Sequence, residues 1–183
     1  GKDILDIAKI SSSGNFCKNK KGKVKKLSVK NEYLSFLVNS SNINKNIKVA
    51  WDPGNGASGE VISSLTKKIN GIHYLINEKI DGNFPAHHPD PTVPKNLRQL
   101  ISLVKRKKCD FGFAFDGDGD RLGVVDDKGK IIFADKIVAF LAKDVLLGNP
   151  KSTIILDIKS SQTVFNEIKK LNGKPIFWKT GHS

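Results

Sequence analysis

The chain has 183 residues, of which 38% are hydrophobic and 27% are charged, a balance that is typical of globular proteins. A chain of this length can bury one good core or two smaller ones. No apolar run is long enough to span a membrane and no charged, then apolar leader opens the chain, so we expect a cytoplasmic protein without a membrane partner. Cys17 and Cys109 are too few for a disulfide framework or a zinc site, and they are predicted to be free thiols.

The formal net charge is +13 at pH 7, and lysines gather in two runs, at residues 18–26 and 105–108. Such runs make a basic nucleic-acid-binding module one alternative interpretation of the chain. However, no aromatic residues alternate with these lysines to stack on bases, and no nucleic-acid-binding motif accompanies them. We therefore expect no nucleic-acid partner.

Helix and strand patterns follow one another along the chain, after a short helical stretch and a polar, lysine-rich linker within residues 1–30. Helices are predicted at residues 31–38, 57–70, 94–107, 135–147 and 162–171. Strands are predicted at residues 47–51, 72–76, 111–115, 121–126, 130–133, 153–157 and 175–178. This alternation predicts an α/β fold in which a mixed sheet is layered with helices.

The strand pattern at residues 111–115 ends abruptly in the acidic segment D-G-D-G-D-R. Asp116, Asp118 and Asp120 alternate with glycines, so their carboxylates point to one side of an extended chain and repel one another unless a cation lies among them. The glycines let the backbone curl around an ion. Carboxylate oxygens suit Mg²⁺, which also accepts phosphate oxygens, so the segment predicts an Mg²⁺ site with a phosphate-bearing partner.

Other interpretations of the acidic segment were weighed against the metal site. A solvated turn between two strands is the plainest of them, and the apolar runs on both sides count against it. An EF-hand is excluded because Arg121 and Asp127 stand where that motif requires glycine and glutamate. An aspartyl-phosphate enzyme, with Asp116 as nucleophile and Asp118 as acid and base, stays open as the alternative chemistry.

Several further residues were considered as functional candidates. His87 and His88 lie in a proline-rich loop, where structural hydrogen bonding is favoured over metal ligation. The glycine-rich turn at residues 52–59 lacks the lysine of a phosphate-binding loop, so a structural role is favoured. His182 follows a predicted strand end in the manner of a functional loop, whereas Lys159 taken alone indicates only a solvated side chain.

The segment F-A-F-D-G-D-G-D-R-L-G-V-V resembles the metal-binding loop of the phosphohexomutases, the phosphomannomutase/phosphoglucomutase family. The resemblance continues in D-G-N-F-P-A-H-H-P-D-P and V-A-W-D-P-G-N-G-A-S-G upstream of this loop. Downstream it continues in L-D-I-K and W-K-T-G-H-S, so the similarity extends from about residue 31 to the end. Separate motifs in the right order make the resemblance specific.

The resemblance implies reversible phosphoryl transfer between C1 and C6 of a hexose phosphate, through a phosphoserine on the enzyme and a hexose bisphosphate. It implies that Asp116, Asp118 and Asp120 hold Mg²⁺ and that Arg121 is a catalytic cation beside the moving phosphoryl group. Lys159 and His182 match catalytic and substrate-binding positions of the family, and Ser183 is expected to bind substrate with them.

The resemblance also gives a domain organisation. Residues 1–30 are expected to be the tail of a preceding domain and a linker, residues 31–128 a complete α/β domain, and residues 129–183 part of a third domain. No serine of this chain stands in the His-Asn-Pro setting that marks the phosphoserine loop of the family. We therefore expect an internal fragment of a mutase, whose partners include the missing domains and which is inactive alone.

Overall fold

The computed structural model describes residues 2–14, 16, 22–41 and 46–181. The helices of this part of the chain are α1 Lys2–Ser13, α2 Lys30–Ser40, α3 Gly59–Leu65, α4 Arg98–Lys107, α5 Ala134–Gly148 and α6 Gln162–Lys170. Its strands are β1 Lys48–Asp52, β2 Ile72–Leu75, β3 Phe111–Phe115, β4 Leu122–Asp126, β5 Ile131–Ile132, β6 Thr153–Asp157 and β7 Lys174–Trp178. The predicted class, a mixed sheet layered with helices, is confirmed.

Two sheets organise the described residues. The larger has the strand order β2-β1-β3-β4-β5, in which β1 runs parallel to β2 and β3 while β4 runs antiparallel to β3 and to β5. The smaller is a parallel pair of β6 and β7. Because Asp52 lies opposite Ala114 in the register of β1 and β3, the carboxyl ends of these two central strands meet at one edge.

The core of the larger sheet lies under α4. This helix repeats apolar residues three and four positions apart, and Leu100, Leu103 and Val104 are all buried on the face that meets the sheet. Gly112 of β3 permits this close packing, since a Cβ atom there would lie 2.6 Å from Cγ2 of Val104. Cys109 is buried in the same core as a free thiol, as predicted, whereas Cys17 lies outside the described residues.

The smaller sheet has a core of its own, formed by Ala142, Leu146, Leu156, Val164 and Ile168. Helix α6 contributes two of these residues. Ser161 caps its first turn, and the Ser161 hydroxyl accepts a hydrogen bond from the backbone N–H of Val164. Such a side-chain cap satisfies one of the free N–H groups of the first helical turn. Residues on β6 and β7 that point away from this core, Ile155, Ile176 and Trp178, are exposed.

Two predicted helices were wrong in extent. The helix predicted at residues 57–70 is only Gly59–Leu65, and the residues after it form turns that lead into β2 through Gly71, which has a φ of 120°. The helix predicted at residues 94–107 is a 3₁₀ turn, Pro94–Leu97, followed by α4. The strand predicted at residues 130–133 is reduced to Ile131–Ile132.

Among the described residues, no helix combines the length and the apolar character that crossing a membrane requires.

Candidate metal centre

The candidate metal centre lies immediately after β3, at the edge where β1 and β3 end. The chain turns sharply there, with the N–H of Gly119 bonded to the carbonyl of Asp116 and the N–H of Asp116 bonded to the carbonyl of Arg121. Gly119 has a φ of 82°, a conformation that residues with a side chain rarely adopt. One carboxylate oxygen from each of Asp116, Asp118 and Asp120 lies within 4.8 Å of the other two. The sequence prediction that the three side chains converge is thus confirmed.

Asp116 is the buried member of the three, with 2% of its surface exposed. Its Oδ1 accepts hydrogen bonds from the backbone N–H groups of Gly119, at 3.1 Å, and Arg121, at 3.0 Å. Burial opposes ionisation of this carboxyl, but the hydrogen bonds from the Arg121 backbone and guanidinium and the Arg121 charge outweigh it, so the pKa of Asp116 lies below its usual value. Asp116 is therefore a fixed anion at the base of the loop.

Asp118 and Asp120 are exposed and lie at the open side of the loop. Repulsion from the charge of Asp118, and then from that of Asp116, raises the pKa of Asp120 above its usual value. A divalent cation would relieve this repulsion, and carboxylate oxygens are the donors that Mg²⁺ prefers. The donor set therefore fits the predicted Mg²⁺.

Arg121 is held beside the acidic loop by two other side chains. Its Nε lies 2.7 Å from Oδ2 of Asp116, and its Nη1 lies 3.5 Å from Oδ1 of Asp90. The hydrogen bond to Asp116 is the main reason why the pKa of Arg121 lies above its usual value. More than half of the side chain is exposed, so its remaining N–H groups face the solvent side of the loop.

The acidic loop packs against a second loop, which contains Gly56 and Ala57. The N–H of Ala57 donates to the carbonyl of Gly117 over 2.8 Å. Gly56 fits beneath this contact only because it lacks a side chain, since a Cβ atom there would lie 2.7 Å from the Gly117 oxygen. Phe84 and Pro89 also pack against Gly117, since a Cβ atom at Gly117 would lie 3.5 Å from a side-chain atom of each. The two motifs at residues 49–59 and 81–91 thus meet at the acidic loop.

Lys159, which was also predicted to be a site residue, is not part of this cluster. Lys159 follows β6, where its Nζ lies 3.9 Å from Oδ2 of Asp157 and its backbone N–H donates to Oδ1 of the same residue. In the part of the chain that the structure describes, Lys159 forms no ion pair with the three aspartates. His182 and Ser183 lie outside the described residues. The structure therefore brings together the three aspartates and Arg121.

Two contacts at this edge of the sheet were not predicted from the sequence. Asp90 lies within reach of Arg121, and buried Asp52 lies 3.0 Å from His87, which confirms that His87 forms structural hydrogen bonds. The signal available for Asp52 was its place at the end of a strand next to a glycine-rich turn. Its partner is 35 residues away, so spacing alone does not reveal the pair.

Comparison with known proteins identifies the family. Residues 31–129 match the family model described as phosphoglucomutase/phosphomannomutase, alpha/beta/alpha domain II. Phosphomannomutase/phosphoglucomutase of Pseudomonas putida is 41% identical over 162 residues, which are 88% of this chain and 35% of that protein. Phosphoglucomutase of Neisseria meningitidis serogroup B is 39% identical over 181 residues, which are 99% of this chain and 39% of that protein.

Solved structures agree with this assignment. The crystal structure of a phosphoglucomutase/phosphomannomutase family protein from Burkholderia thailandensis has a TM-score of 0.93 at 36% identity, and the match covers 100% of this chain and 40% of that one. Aspergillus fumigatus N-acetylphosphoglucosamine mutase, solved in complex with glucose 1,6-bisphosphate, shares the fold at a TM-score of 0.56 and 14% identity, over 83% of this chain and 31% of that one. This chain spans well under half the length of these relatives. It belongs to the phosphoglucomutase/phosphomannomutase family, the phosphohexomutases.

Proposed function

We propose that this chain is part of a phosphohexomutase that moves a phosphoryl group reversibly between C1 and C6 of a hexose phosphate. The relatives are named for hexose phosphates, and one of them is solved with a hexose bisphosphate. The observation that carries the proposal is the convergence of three carboxylates beside Arg121 at the end of a central strand. This set combines anionic ligands for a cation with a cationic side chain for a phosphoryl group.

In this proposal Asp116, Asp118 and Asp120 hold the ion. When bound there, Mg²⁺ supplies positive charge that stabilises the oxygens of a transferring phosphoryl group. The serine that carries the phosphoryl group comes from outside these 183 residues, and the sugar passes through a bisphosphorylated intermediate. Arg121 presents its free guanidinium N–H groups to phosphoryl oxygens, while its Nε stays on Asp116.

We propose that Lys159, His182 and Ser183 contribute to substrate binding from the third domain. The Lys159 side chain is 73% exposed at the carboxyl end of β6, where open α/β sheets place their ligands. Residues 1–30, 31–128 and 129–183 are proposed to be a tail with linker, a complete domain and a partial domain. The separate cores of the two sheets support two domains, and β5, which lies just after the proposed boundary, pairs with β4 of the larger sheet. A cytoplasmic location is part of the same proposal.

The test measures metal binding and turnover on the same preparation. Mn²⁺, which electron paramagnetic resonance detects directly, should bind to the chain, and Mg²⁺ should displace it. Replacement of Asp118 by asparagine should weaken that binding. A coupled mutase assay with a hexose 1-phosphate, hexose 1,6-bisphosphate and Mg²⁺ should give no turnover with the 183-residue chain alone. Turnover that disappears in Asp118→Asn would show that the chain needs no serine from elsewhere.

The aspartyl-phosphate alternative has a distinct signature. If Asp116 were a nucleophile, fluoroberyllate should bind to it as an analogue of the acyl phosphate. Both oxygens of Asp116 already accept hydrogen bonds from the loop and from Arg121, so we expect no such binding.

Salt-sensitive binding of oligonucleotides that persists after replacement of the three aspartates would instead support the nucleic-acid alternative.

A further inference from the structure

Buried Asp52 and its partner His87 lie at the edge of the sheet that carries the candidate metal centre, and they have no part in the function proposed above. Asp52, at the end of β1, is fully buried, and its Oδ2 lies 3.0 Å from Nε2 of His87. The other oxygen, Oδ1, accepts the backbone N–H of Gly54 at 3.0 Å and Nδ2 of Asn77 at 2.9 Å. Both oxygens of this buried carboxyl therefore have hydrogen-bonding partners.

His87 has a contact through each of its ring nitrogens. Nε2 lies 3.0 Å from Oδ2 of Asp52, and Nδ1 lies 3.0 Å from the carbonyl oxygen of His88, which can only accept a hydrogen bond. The two contacts fix the orientation of the imidazole ring, so His87 connects the buried carboxyl of Asp52 to the backbone of its own loop.

The pair is coupled to the acidic loop through the turn that follows β1. His87 packs against this turn, because a Cβ atom at Gly54 would lie 3.3 Å from Cε1 of the His87 ring. Two residues further along, Gly56 and Ala57 contact the backbone of the acidic loop, and the N–H of Ala57 binds the carbonyl of Gly117. One continuous segment therefore connects Asp52 and His87 to the residue between Asp116 and Asp118.

We propose that Asp52 and His87 are positioning residues for the metal centre, a role that rests on the function proposed above. In this role they orient the metal ligands and do not bind the ion themselves. The contact between them fixes the turn at residues 53–57, and that turn fixes the backbone of Gly117, so the carboxylates on either side keep their spacing. Groups that orient metal ligands without touching the metal commonly alter metal affinity.

Matched variants separate positioning from general stability. His87→Ala removes both hydrogen bonds, whereas His87→Gln keeps a donor for Asp52 but loses the imidazole ring. His73→Gln is the control, since His73 accepts a hydrogen bond from Trp51 near the opposite end of the sheet. Mn²⁺ affinity, measured by electron paramagnetic resonance, should fall about tenfold in His87→Ala and less in His87→Gln, and should not change in His73→Gln. The circular dichroism spectra should match that of the unmodified chain.

Nuclear magnetic resonance of the unmodified chain gives a second readout that needs no variant. With ¹⁵N-labelled histidine, Nε2 of His87 should show a directly bonded proton, the one that it donates to Asp52, because a hydrogen-bonded ring proton exchanges slowly with water. A His87 in which Nε2 carries no bonded proton would overturn the proposal, even if the His87 variants fail to fold.

The outcomes also distinguish this inference from the proposed function. If the unmodified chain does not bind Mn²⁺, the metal site itself is refuted. If the chain binds Mn²⁺ and His87→Ala binds it equally well, the metal site stands and the positioning role is wrong.

Discussion

Arg121 Nε lies 2.7 Å from Asp116 Oδ2, so the cation proposed to face the phosphoryl group is paired with one of the proposed metal ligands. Asp116 also accepts two backbone hydrogen bonds from the same short loop. The pair therefore ties the first metal ligand to the residue that closes the loop. A divalent ion at this site would share the carboxylate with a guanidinium, and the two positive charges would repel each other.

Replacement of Arg121 by glutamine should strengthen metal binding. The variant removes the positive charge that is hydrogen-bonded to Asp116, and it leaves Oδ2 of Asp116 free to bind the ion. We expect the Mn²⁺ dissociation constant to decrease about threefold to tenfold, because the repulsion between the guanidinium and the ion is removed. Titration followed by electron paramagnetic resonance gives the constant.

Arg121→Lys is the matched control for this prediction because it keeps the charge while losing the planar geometry of the guanidinium. Its metal affinity should stay closer to that of the unmodified chain. Weaker binding in Arg121→Gln would contradict the prediction and would mean that the side chain mainly maintains the shape of the loop.

The three aspartates should differ in their effects on stability. Asp118→Asn and Asp120→Asn should weaken Mn²⁺ binding and change the free energy of unfolding by less than about 0.5 kcal/mol, because both side chains are exposed. Asp116→Asn should weaken binding and also cost about 1–3 kcal/mol, because it disturbs a buried acceptor of three hydrogen bonds. Urea denaturation without metal measures the stabilities, and equal losses in all three variants would contradict the prediction.

Gly56→Ala should damage the metal centre without touching a ligand. The new Cβ atom would lie 2.7 Å from the Gly117 oxygen and 2.9 Å from the Asp116 oxygen, both of which are backbone atoms. The acidic loop must therefore shift, and we expect a stability loss of about 1–3 kcal/mol together with weaker Mn²⁺ binding. Gly82→Ala is the control, since no atom lies within 4 Å of its Cβ position and its stability should stay equal or rise by up to about 1 kcal/mol.

Asp135 should contribute stability that is lost in acid. Its Oδ1 accepts a hydrogen bond from the backbone N–H of Lys136. Its Oδ2 accepts one from the backbone N–H of Ser161, the residue that precedes α6. Burial opposes ionisation, but the hydrogen bonds from Ser161 and Lys136 outweigh it and hold the pKa of Asp135 below its usual value. The folded chain therefore binds a proton at the Asp135 carboxyl less tightly than the unfolded chain does. The contribution of Asp135 to the free energy of unfolding is present above about pH 4 and disappears as the pH falls further.

The measurement is a series of urea denaturations of the unmodified chain and Asp135→Asn across that pH range. The difference in unfolding free energy should be largest near neutral pH and should shrink below about pH 4. Asp144→Asn, at an exposed position of the same helix, should show no such difference. A difference that grows on acidification would reverse the sign and disprove the assignment.

Local patterns predicted the strands and the acidic loop well. Strands β3 and β6 begin and end at the predicted residues, because each is an apolar run bounded by polar residues or glycine. The alternation of aspartate and glycine was enough to predict that the three carboxylates converge. These features depend on neighbours in the sequence, so the sequence displays them directly.

The contacts that hold the loop in place depend on residues far apart in the chain. His87 reaches Asp52, and Ala57 reaches Gly117, only after the strands have paired. No periodicity in the sequence encodes such partners. The early end of α3 has a similar cause, because the chain must reverse direction to reach β2.

The paired strands β6 and β7 determine how the isolated chain should behave at high concentration. Within the described residues, each of these strands bonds to the other alone, so two rows of backbone donors and acceptors stay open at the margins of the pair. Ile155, Ile176 and Trp178 add apolar surface between those margins. Open strand margins flanked by apolar side chains favour aggregation, and the concentration used in the binding experiments therefore has to be kept low.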